Sequence, residues 1–325
     1  MSGVLMRGIR ALGARLEAKL RNAGPRVYIH GKWPVGKPWG RAALQVYSVG
    51  KGLGDELMAT PTLRELKRRN EKCHVTYIAR RPELFRGQPW CDEVVLYDKD
   101  RLGGAIPLHY NCGFPPPRPM PFLIAECLGL LIKDLVPSFT APPVDADFVK
   151  AVASIPRPRV VLQPLASDWT PNKDWGLAKW DQLVEKLVES TQVLETGVST
   201  VLKAPSRNGE RYHSFGGKTN LAQFIHLIQN ADAFIGPPSG GMHLAAGLEI
   251  PSVIIYGGYE RASSCVYPKV RGLEGRTPCS PCWLETPCPY NRECLAMIGV
   301  DDVFSAAMEQ LEKYKGSESK KIEVK

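Results

Sequence analysis

Apolar residues in this chain fall in short unbroken runs, separated by glycine- or proline-rich turns and by amphipathic segments. That is the pattern of buried parallel strands alternating with helices. The first run, 42–49, predicts a strand; the turn Gly50 to Pro61 follows, and then a basic amphipathic helix from Thr62 to Arg69 with Pro61 at its start. His74–Ala79 and Glu93–Tyr97 predict two further strands in the same cadence. Residues 103–121 break it with Gly103, Gly104 and six prolines, a long irregular loop of the kind that is either functional or disordered. Prolines 137, 142, 143, 156 and 158 then mark a linker.

The second half restarts the pattern. Strands are predicted at 159–164, 192–195, 233–235 and 252–256, and helices at 180–190, 220–230 and from Met242. Two such α/β halves place a cleft between two sets of strand C-terminal ends. The expected division is a basic extension over 1–42, a first Rossmann-like domain over 43–156, a second over 157–312 and a charged tail over 313–325.

Ahead of the first strand, Leu5, Ile9, Leu12, Leu16 and Leu20 recur at helical spacing. Residues 1–42 hold nine Lys and Arg against Glu17 alone, which accounts for +8 of the net charge of +9. The segment 4–21 therefore either lies on an anionic membrane surface or docks on the body and exposes its charges. The remaining body is nearly neutral, which argues against a nucleic-acid-binding face. At 44% hydrophobic and 23% charged residues the chain reads as soluble and globular. The apolar run Pro121–Ile132 is too short to span a bilayer, and no cleavable signal peptide is legible. The expected setting is the cytoplasm, on the inner face of the membrane if segment 4–21 is the lipid-binding alternative, with the nine cysteines reduced or ligating metal.

Four motifs carry chemistry. In Gly50-Lys-Gly52-Leu-Gly54-Asp55 the glycines let the backbone turn tightly, and Asp55 is a lone carboxylate at the strand end, either a helix cap or a site residue. Asn172-Lys173-Asp174-Trp175 presents a cation at the start of the second half. Gly236-Pro-Pro238-Ser239-Gly240-Gly241 opens the helix that carries His243. Cys279, Cys282, Cys288 and Cys294 could form a tetrahedral zinc or iron site, or a thiol-rich loop that packs without metal. Asp98-x-Asp100 and Asp145-x-Asp147 match a metal-binding triplet of another transferase fold, but they sit in predicted loops without that fold and are discounted.

In this order the four motifs resemble glycosyltransferase family 9, the heptosyltransferases of lipopolysaccharide assembly, over roughly residues 43–312. The resemblance implies a GT-B architecture with the acceptor on the first domain and a nucleotide-diphosphate-sugar on the second. It implies an inverting single displacement that needs no cofactor beyond the donor. On matching positions, Asp55 would be the base for the acceptor hydroxyl of a glycan or glycolipid. Lys173 would pair with the donor diphosphate, and Ser239, Gly240, Gly241 and the next helix's amides would cradle phosphate or sugar oxygens. His243 would be either a donor contact or a packing residue, and Gly52 and Gly54 loop glycines. Many members carry an Asp just before this Ser; here Pro238 stands there, which leaves the donor sugar open. A non-catalytic scaffold or nucleotide-sugar-binding protein is the competing expectation.

Overall fold

The computed structural model describes residues 43–111, 113, 115–166 and 169–315. The expected helix of 4–20, its membrane contact and most of the expected tail lie outside them. The first sheet comprises β1 (Ala43–Ser48), β2 (His74–Ala79), β3 (Glu93–Leu96) and β4 (Ile106–Leu108) in the order β3-β2-β1-β4, all parallel. The second comprises β5 (Arg159–Leu162), β6 (Gln192–Glu195), β7 (Tyr212–Ser214), β8 (Ala233–Gly236), β9 (Ser252–Ile255) and β10 (Val270–Leu273). Its order is β10-β9-β8-β5-β6-β7, also parallel throughout. The strand order of each sheet reverses once, between β1 and β4 and between β5 and β8. Those two points open crevices beyond the strand C-termini.

The helix after β1, α1 (Leu53–Arg69), departs from the sequence expectation: it starts nine residues earlier and runs through Pro61. An interior proline leaves the carbonyl four residues back without its amide partner. Here the Thr60 hydroxyl donates to that carbonyl, Leu57 O, at 2.8 Å, and itself accepts from Ser138 N at 2.9 Å.

Side chains of the second sheet alternate between two cores, as strand geometry requires. Val160, Leu162, Val193, Ile235, Val253 and Ile255 face a core closed by α4 (Leu177–Leu187) and α7 (Val300–Lys313). Val161, Leu194, Phe234 and Ile254 face the other way, toward α5 (Leu221–Gln229) and α6 (Gly240–Gly247), in a core continuous with that of the first sheet. The proline-rich connection is bolted down rather than loose. Thr140 N donates to Leu84 O at 2.7 Å, and the Phe139 ring lies so close to Gly247 that a Cβ there would stand 2.7 Å from it. Ahead of that connection α2 (Met120–Glu126) covers the first sheet, and α3 (Ala146–Ser154) leads into the second.

Candidate active site

The crevice of the first sheet is closed by two residues. Asp55 sits in the first turn of α1, just past β1; its Oδ2 accepts the Gly52 amide at 2.9 Å. Its Oδ1 accepts the Tyr110 hydroxyl at 2.9 Å, and Tyr110 stands two residues past the end of β4. A Cβ on Gly50 would stand 2.1 Å from Asp55 Cγ, so only glycine leaves room for the carboxylate to fold back over the turn. Arg80 fixes the same turn from below. Its Nη1 donates to Ser48 O and Gly50 O, each at 3.0 Å, and its guanidinium lies 3.9 Å from the Tyr97 ring centre.

The second crevice is flanked by Lys173, from the β5–α4 segment, and by the turn between β8 and α6. Lys173 is not a free charge. Its Nζ pairs with the buried Glu260 at 2.6 Å, donates to Pro238 O at 3.1 Å and lies 4.8 Å from the Tyr259 ring centre. Pro238 thus meets the ammonium through its backbone carbonyl, and a carboxylate reaches the same ammonium from Glu260. Ser239 does not cap α6; its hydroxyl donates to Gln163 Oε1 at 3.0 Å, so the first-turn amides of α6 lack an N-cap.

Two of the predicted site glycines also leave room for close packing. A Cβ on Gly241 would meet Gln163 Oε1 at 2.1 Å, and one on Gly240 would meet Leu53 of α1 at 3.0 Å. His243 is likewise buried. Its Nδ1 lies 2.7 Å from the Tyr267 hydroxyl, and a Cβ on Gly54 would stand 2.6 Å from its ring. Burial, and secondarily the Lys173 charge, holds its pKa down at about 3, so the ring is neutral.

These contacts bring the halves together: Leu53 and Gly54, immediately before Asp55, press on Gly240 and His243 at the start of α6. The Tyr110 phenol registers both sides. Burial chiefly, then the Asp55 charge and hydrogen bond and the Glu260 charge, push its pKa far above the usual phenol range.

The structure gives no support to the metal centre that was one alternative for the four cysteines. All four are free thiols, and no three His, Cys, Asp or Glu side chains among the described residues are grouped to hold an ion. The loop instead braces the site. Asn172 Nδ2 donates to Leu284 O and Thr286 O, and its Oδ1 accepts from Cys288 N at 3.0 Å. Cys282 N and Trp283 N donate to Gly258 O and Tyr259 O, each at 3.0 Å, so the loop ties the Lys173 segment to the Glu260 segment. The discounted acidic triplets serve as caps: Asp98 accepts from Asp100 N, and Asp145 from Phe148 N.

The sequence profile of glycosyltransferase family 9 (heptosyltransferase) matches residues 120–286, just over half the chain. The chain belongs to this family. The matched span includes Lys173 and Ser239 and begins after Asp55. No curated protein matches the sequence significantly. Among solved structures, E. coli ADP-heptose lipopolysaccharide heptosyltransferase II superposes with TM-score 0.61 at 18% identity, over 83% of this chain and 99% of that one. A family 9 glycosyltransferase from Veillonella parvula gives 0.63 at 15% identity, over 84% and 98%. The iron-containing dodecameric glycosyltransferase TibC of enterotoxigenic E. coli gives 0.63 at 19%, over 84% and 79%. At these identities the likeness is one of fold, the GT-B arrangement of two facing parallel sheets.

Tyr110, Glu260, Tyr267 and Arg80 join the candidate site without having been singled out in sequence. Only Tyr110 had a signal, its place in the irregular loop 103–121. No described helix is long and apolar enough to cross a membrane.

Proposed function

We propose that this family 9 glycosyltransferase moves a sugar, heptose or a close relative, from a nucleotide-diphosphate donor to a hydroxyl of a glycan or glycolipid, by one inverting displacement. The observation that carries the reading is the abutment of the two crevices. Gly54 lies against His243, so the carboxylate after β1 and the uncapped start of α6 face one site.

A sugar hydroxyl is too weakly acidic to attack as its anion at neutral pH. Asp55 takes its proton as the oxygen bonds to the anomeric carbon, and the bond from that carbon to the diphosphate breaks with its electron pair leaving on the diphosphate. A carboxylate offers about four acceptor positions, and the Gly52 amide and Tyr110 hydroxyl use one on each oxygen, leaving room for the acceptor. The departing charge is met by the α6 amides and by Lys173, an ammonium with three donors of which Glu260 and Pro238 O engage two. TibC, which shares the fold, has been solved with ADP-D-beta-D-heptose; that donor is the first candidate here, with a lipopolysaccharide-type acceptor.

A thermal-shift panel of ADP-, UDP-, GDP- and CDP-sugars, followed by a transfer assay with the best binder, tests this reading. One stabilising donor and a glycosylated product are expected. Stabilisation without turnover toward any glycan acceptor would leave a nucleotide-sugar-binding scaffold, and no stabilisation by any donor would contradict both.

A further inference from the structure

We propose that Tyr110 is a positioning residue that locks the Asp55 carboxylate in the plane required for proton transfer; the inference rests on the reading of Asp55 as base. A carboxylate held at one oxygen still turns about its Cβ–Cγ bond. Asp55 is held at both, and from opposite sides of the crevice. Its own turn supplies the Gly52 amide to Oδ2, and the strand across the reversal point supplies the Tyr110 hydroxyl to Oδ1, each at 2.9 Å. With each oxygen anchored once, the remaining acceptor positions have fixed directions, and an incoming hydroxyl meets a base that need not reorganise.

The anchor is itself built in. Tyr110 lies two residues beyond β4, whose Pro107 and Leu108 pair in register with Tyr47 and Ser48 of β1. The neighbouring backbone is tied to the helix α2, where the Cys127 thiol donates to His109 O at 3.4 Å. The phenol is deeply buried beside a carboxylate and stays protonated, so it acts as a donor to Asp55 throughout the working range. Phenylalanine in its place would remove one oxygen and keep the ring that fills the crevice.

The test is a double-mutant cycle of Tyr110→Phe and Asp55→Asn, assayed with ADP-heptose and a heptose-lacking lipopolysaccharide core. Thermal melts establish that each variant is folded, and calorimetry follows ADP-heptose binding. Loss of one hydrogen bond to a charged group predicts a roughly tenfold lower kcat for Tyr110→Phe with donor affinity unchanged. In the Asp55→Asn background the same change should alter the residual rate by less than about twofold, because the group it positions is gone. Near wild-type kcat in Tyr110→Phe beside a disabled Asp55→Asn would overturn the role of Tyr110 alone. An equal loss in both backgrounds would show that Tyr110 acts elsewhere than through Asp55. Near wild-type turnover by Asp55→Asn would overturn the base assignment and this role together.

Discussion

The two glycine turns of this molecule look alike in sequence, each a strand end, a Gly-rich run and a helix, yet they solve the helix start in opposite ways. In the first, Asp55 folds back and accepts the Gly52 amide, so the turn satisfies itself and fixes a carboxylate at the crevice. In the second, Ser239 turns away to Gln163, and the start of α6 is left for an outside acceptor. One turn presents a carboxylate and the other presents backbone amides. The glycines differ to match: Gly50 makes room for a functional side chain, whereas Gly240 and Gly241 make room for Leu53, Gln163 and Phe234. A shared motif type therefore says little about what it does until its contacts are known.

The sharpest way to break this contrast is at Asp55. Asp55→Asn should keep the fold and lower kcat at least roughly a hundredfold, since general-base help is typically worth ~10²–10⁴-fold. Single-turnover transfer measurements decide it; a folded variant with near wild-type rate would reduce Asp55 to a helix cap.

Next in size is the same substitution made in both turns. In Gly50→Ala the new methyl would stand 2.1 Å from Asp55 Cγ, which displaces the carboxylate and should cost turnover nearly as much as Asp55→Asn, with little change in melting temperature. In Gly241→Ala the methyl would meet Gln163 Oε1 at 2.1 Å and the Phe234 ring at 2.9 Å, so it should cost about 1–3 kcal/mol of stability instead. Paired melting curves and rates check this, and equal stability losses at both positions would erase the distinction between the turns.

The abutment of the turns has a pH signature. His243 is buried neutral, its pKa lowered from the usual 6.5 to about 3. Between those values the unfolded chain binds a proton there that the folded chain refuses, so stability rises with pH and is lost as pH falls from about 6.5 toward 3. His243→Gln, which cannot titrate, should flatten that part of the stability profile in denaturant titrations run at several pH values. An unchanged slope would mean that the ring is not shut between Gly54 and Tyr267.

How much of this was legible beforehand divides along the same physical line. The buried strands β2, β5, β8 and β9 announced themselves as apolar runs, because both faces of a parallel sheet are covered there, and β1 was legible although only alternate residues of it are buried. The short edge strands β4, β7 and β10 did not: β4 is three residues long, includes Pro107, and owes its pairing to β1 alone. The start of α1 was misplaced because Pro61 reads as a helix opening, and nothing local reveals that Thr60 would repair the gap. Asp55, Lys173 and Ser239 stood out through local motifs. Tyr110 and Glu260 reach them across 55 and 87 positions of chain, distances at which only the folded topology makes neighbours. The Cys279–Cys294 spacing left a metal site and a packed loop both open, and the fold shows the loop as a brace built from backbone amides and Asn172.

That brace gives the smallest expected effect. Cys279 is exposed, so Cys279→Ser should change stability by no more than about 0.5 kcal/mol. Protein purified without chelator should carry less than about a tenth of an equivalent of zinc or iron. Stoichiometric metal in elemental analysis, lost in Cys279→Ser, would restore the metal-centre alternative.

The division of labour between the turns is tested most directly by titrating ADP-heptose calorimetrically into wild type, Asp55→Asn and Lys173→Ala. Asp55→Asn should bind the donor within about threefold of wild type, since the proposed role of Asp55 is toward the acceptor. Lys173→Ala should bind on the order of tenfold or more weakly, having lost a charge-assisted contact to the diphosphate. Donor binding that is lost in Asp55→Asn and intact in Lys173→Ala would contradict the account.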